Sequence, residues 1–272
     1  MKRFFAGQNS IHPLERGQGK GCTRRGKAAF TLAEVLITLG IIGVVSALTI
    51  PALIQKYQER SVVIRLTKVY SQLNEAYKLM QEQYGPVVSW GVPKTDTGKT
   101  DKTTGQRIYD YTAQRLVASR IQEFLKSKPC SSDDPVCTER STYYTLSGIE
   151  QSLGFTNNPE SKFYLLDGTF IGIGWYASNI TKGDSIDIYV ILKNKNAVLG
   201  KDIFYFLGVE QGLFPEGKDY GNYKFSNCKP NLINSSEAGR GCSAWVIKYK
   251  NLDYLHCRNK LSWDGAHSCK DK

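Results

Sequence analysis

From Phe30 to Ile54 the chain runs for 25 residues with no basic side chain and a single acid, Glu34. A helix rising about 1.5 Å per residue would carry this run about 37 Å, against a hydrocarbon core of about 30 Å. Fourteen of the 25 residues are Leu, Ile, Val or Phe. At about −0.3 to −0.6 kcal/mol each they outweigh about +3 kcal/mol for one carboxylate, so residues 30–54 are expected to span a membrane. An ionisable group inside such a span needs a partner and is a functional candidate by default. Upstream lie seven Lys and Arg against one acid, Glu15. The excess of positive charge holds that flank in the cytoplasm and sends the rest of the chain outside it.

The residues at the head of the run, Ala29-Phe30-Thr31-Leu32-Ala33-Glu34-Val35-Leu36, resemble the prepilin signal of type IV pilins and of the pseudopilins of type II secretion systems. The resemblance implies cleavage between Ala29 and Phe30 by a prepilin peptidase, N-methylation of Phe30, an assembly role for Glu34, and a helix kink at Pro51. Gly40 and Gly43 fall where the family carries small residues. The family usually has Gly before the cut, where this chain has Ala29. Cutting after Gly26 instead would put Glu34 eight residues in rather than five. An ordinary signal anchor would need neither Glu34 nor Pro51. A cleaved secretory signal has a shorter apolar segment, of about 7 to 15 residues.

Beyond Pro51 the apolar positions take helical spacing: Leu66, Val69, Tyr70, Leu73, Ala76, Tyr77, Met80 and Tyr84. Gly85-Pro86 closes the helix, because proline cannot extend its hydrogen-bond ladder. Tyr70, Tyr77 and Tyr84 read as packing against a sheet. Residues 91–107 have the composition of a flexible surface loop, and residues 111–128 regain helical periodicity. A hairpin is expected over residues 163–173, with Asp167-Gly168 in a tight primed turn. Residues 185–192 alternate as a half-buried strand, with Asp187 and Tyr189 on the outer face; residues 202–207 and 243–248 are further strand candidates. The expected fold class is α+β and pilin-like, a long N-terminal helix packed on a small antiparallel sheet. Four regions follow: a cytoplasmic leader (1–29), the helix (30–84), a connecting region (85–162) and a β-rich, disulfide-containing region (163–272).

Six cysteines lie outside the span: Cys130, Cys137, Cys228, Cys242, Cys257 and Cys269; Cys22 lies in the leader. An even set in an exported region reads as disulfides, and proximity favours Cys130 with Cys137, Cys228 with Cys242, and Cys257 with Cys269. A rival reading places zinc on His256, Cys257, His267 and Cys269, without the short Cys-x-x-Cys spacing of common structural sites. Calcium on Asp167, Asp184, Asp187, Asn194, Asn196 and Asp202 would lack the EF-hand spacing. No metal and no cofactor is expected.

The net charge of +11 falls to +5 once residues 1–29 are removed. The remaining basic segments lack interleaved aromatics of the kind that stack single strands, so nucleic acid is not expected as a partner. No Gly-x-Ser-x-Gly, phosphate loop or His-Glu-x-x-His occurs, and the chain does not read as an enzyme. The reading that results is a filament subunit. Its partners would be prepilin peptidase, other pilin or pseudopilin subunits, an inner-membrane assembly platform and membrane lipid. It would lie in the inner membrane and then in a filament in the periplasm or at the cell surface. The alternative is a tip or minor pilin whose globular part binds a ligand, a surface or DNA.

Overall fold

The computed structural model describes residues 31–134, 137, 142–152, 158–179, 183–219, 221, 223–230, 232 and 235–271. The leader, Cys22, Ala29 and Phe30 lie outside the described residues. The chain divides into two units, residues 1–51 and 52–272.

Of the first unit, residues 31–51 are described. Helix α1 (Leu32–Tyr84) starts here and has Pro51 inside it. Its start is written in four residues. Thr31 Oγ1 accepts from the Glu34 amide at 3.2 Å, and Glu34 Oε2 accepts from the Thr31 amide at 2.8 Å. That reciprocal pair is a capping box, which satisfies two amides that the first helical turn leaves without partners. Apart from half-buried Ser46, every side chain from Thr31 to Ile54 is exposed, and α1 is long and apolar enough to cross a membrane.

The second unit is an α+β fold around the distal part of α1. Val63, Leu66, Val69, Leu73, Ala76, Tyr77 and Met80 are buried, a stripe at helical spacing. At its C-terminus, Gly85 takes φ +76°, and the Trp90 indole donates to the carbonyls of Tyr84 and Gly85 at 2.9 and 3.0 Å. These bonds occupy carbonyls that a helix end cannot satisfy itself.

Strands β1 (Asp96–Thr100) and β2 (Arg107–Tyr109) pair antiparallel in the segment expected to be a loop. Asp101 Oδ1 accepts the amides of Thr103 and Thr104 and shapes the connecting turn. Helix α2 (Thr112–Gln122) ends earlier than its periodicity implied, since Ser127–Pro129 is strand β3. Then follow β4 (Thr142–Tyr144), β5 (Glu150–Ser152), β6 (Lys162–Leu165), β7 (Phe170–Asn179), β8 (Gly183–Ile191), β9 (Ala197–Val198), β10 (Ile203–Val209) and β11 (Gly212–Pro215). Six strands form one antiparallel sheet in the order β11-β10-β8-β7-β6-β3. A smaller sheet has the order β5-β4-β9, with β9 parallel to β4.

The β6–β7 connection departs from a two-residue primed turn. Only Gly168 has positive φ, +79°, and its amide donates to Leu165 O at 2.9 Å. A primed turn of type I′ needs positive φ at both central residues. The loop is therefore a three-residue connection with glycine in the left-handed position.

Residues 243–248 are not a strand: Ser243–Tyr249 is helix α3, and Tyr254–Cys257 is α4. Helical spacing puts Trp245 and Tyr249 on one face, 4.4 Å apart between rings, with Phe225 stacked on Trp245 at 4.1 Å. Nor is the second face of β8 open to solvent. Ile186, Ile188 and Val190 join the core beneath α1, while Tyr189 and Ile191 join a second core with Cys130, Cys137, Tyr143, Phe170, Leu199, Ile203 and Tyr205.

Candidate functional site

In the first unit the candidate site is the capped start of α1. Glu34 lies in the first turn, and its Oε2 also accepts from Thr31 Oγ1 at 2.9 Å. Its other oxygen accepts no bond among the described residues. The sequence reading gave Glu34 one task, assembly. The structure adds a local one, for which Thr31-Leu32-Ala33-Glu34 carried the signal. Gly40 and Gly43 have no atom within 4 Å of where a Cβ would sit, so the small residues leave open notches on the helix.

In the second unit, α1 is held by polar bonds along its length as well as by its apolar stripe. Arg65 donates to Leu192 O at 3.3 Å and to Thr169 Oγ1 at 3.1 Å. Tyr70 stacks on Phe206 with ring centroids 5.2 Å apart and donates to Leu213 O at 3.2 Å. Tyr77 and Gln81 both donate to Val209 O. A Cβ on Gly208 would come within 2.7 Å of the Tyr77 ring, so only glycine lets strand and helix approach this closely. Of the three tyrosines expected to pack on the sheet, Tyr84 differs: its hydroxyl donates to Glu123 at 2.6 Å and the Arg120 guanidinium lies 4.5 Å from its ring centre. Glu59 meets His256 at 2.9 Å.

The second core holds a polar cluster that the sequence did not reveal. Arg240 enters from the loop closed by Cys228 and Cys242. Its guanidinium lies 5.0 Å from the Tyr205 ring centre and 4.5 Å from that of Tyr223, and it donates to the Tyr223 hydroxyl. Burial pushes the Asp187 carboxyl up to about 6, against the opposing pull of Arg240 and of the Tyr189 hydroxyl. Lys162 is buried and donates to Cys137 O, and desolvation brings its ammonium down to about 8.

The sulfurs of Cys130 and Cys137 lie 2.08 Å apart, those of Cys228 and Cys242 2.09 Å, and those of Cys257 and Cys269 2.08 Å. With Cys257 and Cys269 bonded, neither offers a thiolate to zinc; His256 faces Glu59, and His267 stacks on Tyr249 at 4.1 Å. The acids weighed for calcium are dispersed. Asp184 meets Lys94 at 3.0 Å, Asp202 accepts the Val198 amide, and Asp167 accepts the Thr169 amide. Among the described residues no group of three or more His, Cys, Asp or Glu could hold a metal.

Residues 24–50 match a model of the prokaryotic N-terminal methylation motif, the type IV pilin and pseudopilin signal. That motif, ahead of an α+β unit packed on the same helix, defines the class: a precursor of the pilin and pseudopilin kind, whose signal points to a structural protein rather than an enzyme. The motif implies processing by prepilin peptidase and assembly with other pilins, and with the apolar helix it fits anchoring in the inner membrane. Residues 52–214 match a second model, and the chain belongs to that family, a family of unknown function (DUF6613). Its first matched residue, Ala52, is also the first residue of the second unit. Comparison with curated proteins and with solved structures finds no match.

Proposed function

We propose that this chain is a structural subunit of a type IV pilus-like or type II secretion filament. It is cut after Ala29, methylated on Phe30 and assembled through α1, with Pro51 as the helix kink. Before assembly it crosses the inner membrane once, leader inside and second unit outside. The observation that carries this reading is the methylation motif at residues 24–50, set on a helix whose apolar side chains from Leu32 to Ile54 are exposed among the described residues. In the filament, Glu34 pairs with the N-terminal amine of a neighbouring subunit. Each charge then offsets the other's desolvation, which neither could bear alone in an apolar bundle.

Two measurements test it. Mass spectrometry of mature protein should find N-methylated Phe30 as the first residue; an intact leader in assembled material, or a first residue at Lys27, refutes the cleavage assignment. Fractionation of cells expressing Glu34→Gln should find normal membrane-bound subunit and little sheared filament. Because glutamine also serves in a capping box, this variant keeps the helix start while removing the charge. Filaments at wild-type level would remove Glu34 from assembly and favour the tip-subunit alternative.

A further inference from the structure

We propose that the surface around Gln55–Arg60 of α1 is a docking surface for anionic phospholipid headgroups. The inference rests on residues 30–54 spanning a bilayer. At about 1.5 Å per residue, Gln55 to Arg60 lie roughly 2 to 9 Å past Ile54, within the polar layer that flanks the hydrocarbon core. Lys56 and Arg60 are exposed there, as is Tyr57, a residue type that favours that layer.

The fold brings further cations beside this stretch of α1 from distant sequence. A cavity of about 440 Å³ is lined by Gln55, Glu59 and Arg65 of α1 together with Lys193 and Lys201. Lys193 opens the exposed loop Lys193-Asn194-Lys195-Asn196 between β8 and β9, in which Asn196 takes φ +50°. Among the described residues, Lys56, Arg60, Lys193, Lys195 and Lys201 make no side-chain hydrogen bond or ion pair. The acids nearby are engaged: Glu59 with His256, and Asp202 with the Val198 amide. Five cations that meet no acid among the described residues, beside an interfacial tyrosine, suit a surface of phosphate groups. Each cation held near an anionic leaflet contributes about a fivefold preference, screened by salt over about 10 Å at 0.1 M.

The far end of the sheet supplies an internal reference. Phe170 of β7 pairs with Ile191, beside the lysine loop, whereas Asn179 pairs with Gly183 at the other end. Lys99 and Lys102 belong to the β1–β2 hairpin, which attaches toward that other end through the Thr95 amide donating to Tyr176 O at 2.9 Å.

The test reconstitutes the full chain in vesicles of phosphatidylcholine alone or mixed with phosphatidylglycerol. A membrane-impermeant amine reagent is applied, and labelling of Lys193, Lys195 and Lys201 is read relative to Lys99 and Lys102 in the same molecules. The expected result is at least a fivefold slower relative rate on the anionic vesicles, recovered in high salt. Equal ratios on both vesicles, with protein that co-floats with them, would overturn this inference and leave the spanning helix standing. Protein that fails to co-float would overturn the spanning helix and this surface with it. Equal protection by inorganic phosphate on neutral vesicles would overturn the lipid surface in favour of a free-anion site.

Discussion

The two units satisfy their side chains in opposite ways. Residues 31–51 close their backbone hydrogen bonds along one helix and leave their apolar side chains exposed. Residues 52–271 enclose two apolar cores, one on each face of a six-stranded sheet, with three pairs of bonded cysteines. On the proposed reading the first unit gains its packing from a bilayer or neighbouring helices, whereas the second supplies its own. A change in the first should therefore alter where the chain goes and what it joins, and a change in the second whether it folds.

The largest expected effect sharpens that division. Glu34→Ala should leave membrane insertion intact, because removing a carboxylate lowers an insertion cost of at most about 3 kcal/mol. It should still abolish filaments, since stranding a neighbour's buried amine costs about 3 to 5 kcal/mol. Sheared filament measured against membrane-bound subunit reads the two separately, and loss of the membrane-bound form would break the comparison. Trp245→Ala is the mirror experiment. Trp245 is fully buried against Phe225, Tyr249 and Trp263, so truncation should cost about 3 to 5 kcal/mol of second-unit stability and leave insertion unchanged. Thermal unfolding in detergent and vesicle flotation check the two halves of that statement.

A smaller loss, about 2 to 4 kcal/mol, should follow replacement of Cys228 and Cys242 by serine, because their bond closes the loop that delivers Arg240. Peptide mapping without reduction should find all six cysteines beyond the apolar run oxidised in nearest-neighbour pairs; free thiols at Cys257 and Cys269 with stoichiometric zinc would reopen the metal reading. The smallest expected effect is a pH dependence. Burial raises the Asp187 carboxyl from 3.8 to about 6 in the folded protein. Between those values the folded state binds the extra proton, so stability should fall as pH rises from about 4 to about 6 and level off above. The amplitude is at most about 3 kcal/mol. Denaturation of wild type and Asp187→Asn across this range tests it: the difference between them should vary with pH in that window, and a flat difference refutes the assignment.

Where one side of an element meets solvent or lipid, its pattern was readable in the sequence. The stripe from Leu66 to Met80 has a single period, and the apolar run shows itself by its length alone. Two-sided burial hid the rest. β10 is buried at every position from Ile203 to Val209, and β8 lost its apparent outer face because residues distant in sequence, Tyr143, Tyr205 and Arg240, surround Asp187 and Tyr189. Seven residues of α3 were too few to separate a period of 3.6 from a period of 2. Strand β1 has no apolar residue at all, so its Asp, Thr, Gly and Lys content resembled a loop. At the candidate site the motif residues were legible, while the cap made by Thr31 was present in the letters and went unread.

The bonds from Arg65, Tyr70, Tyr77 and Gln81 to the sheet are spread over 16 positions of α1, about 24 Å of helix. A tension applied along the helix axis would load all of them at once, in shear, instead of peeling one after another from an end. Linkages loaded in parallel divide the force among themselves. In a fibre held together by such helices, the sheet would then bear strain as a block, and single-molecule extension should show it yielding in one step.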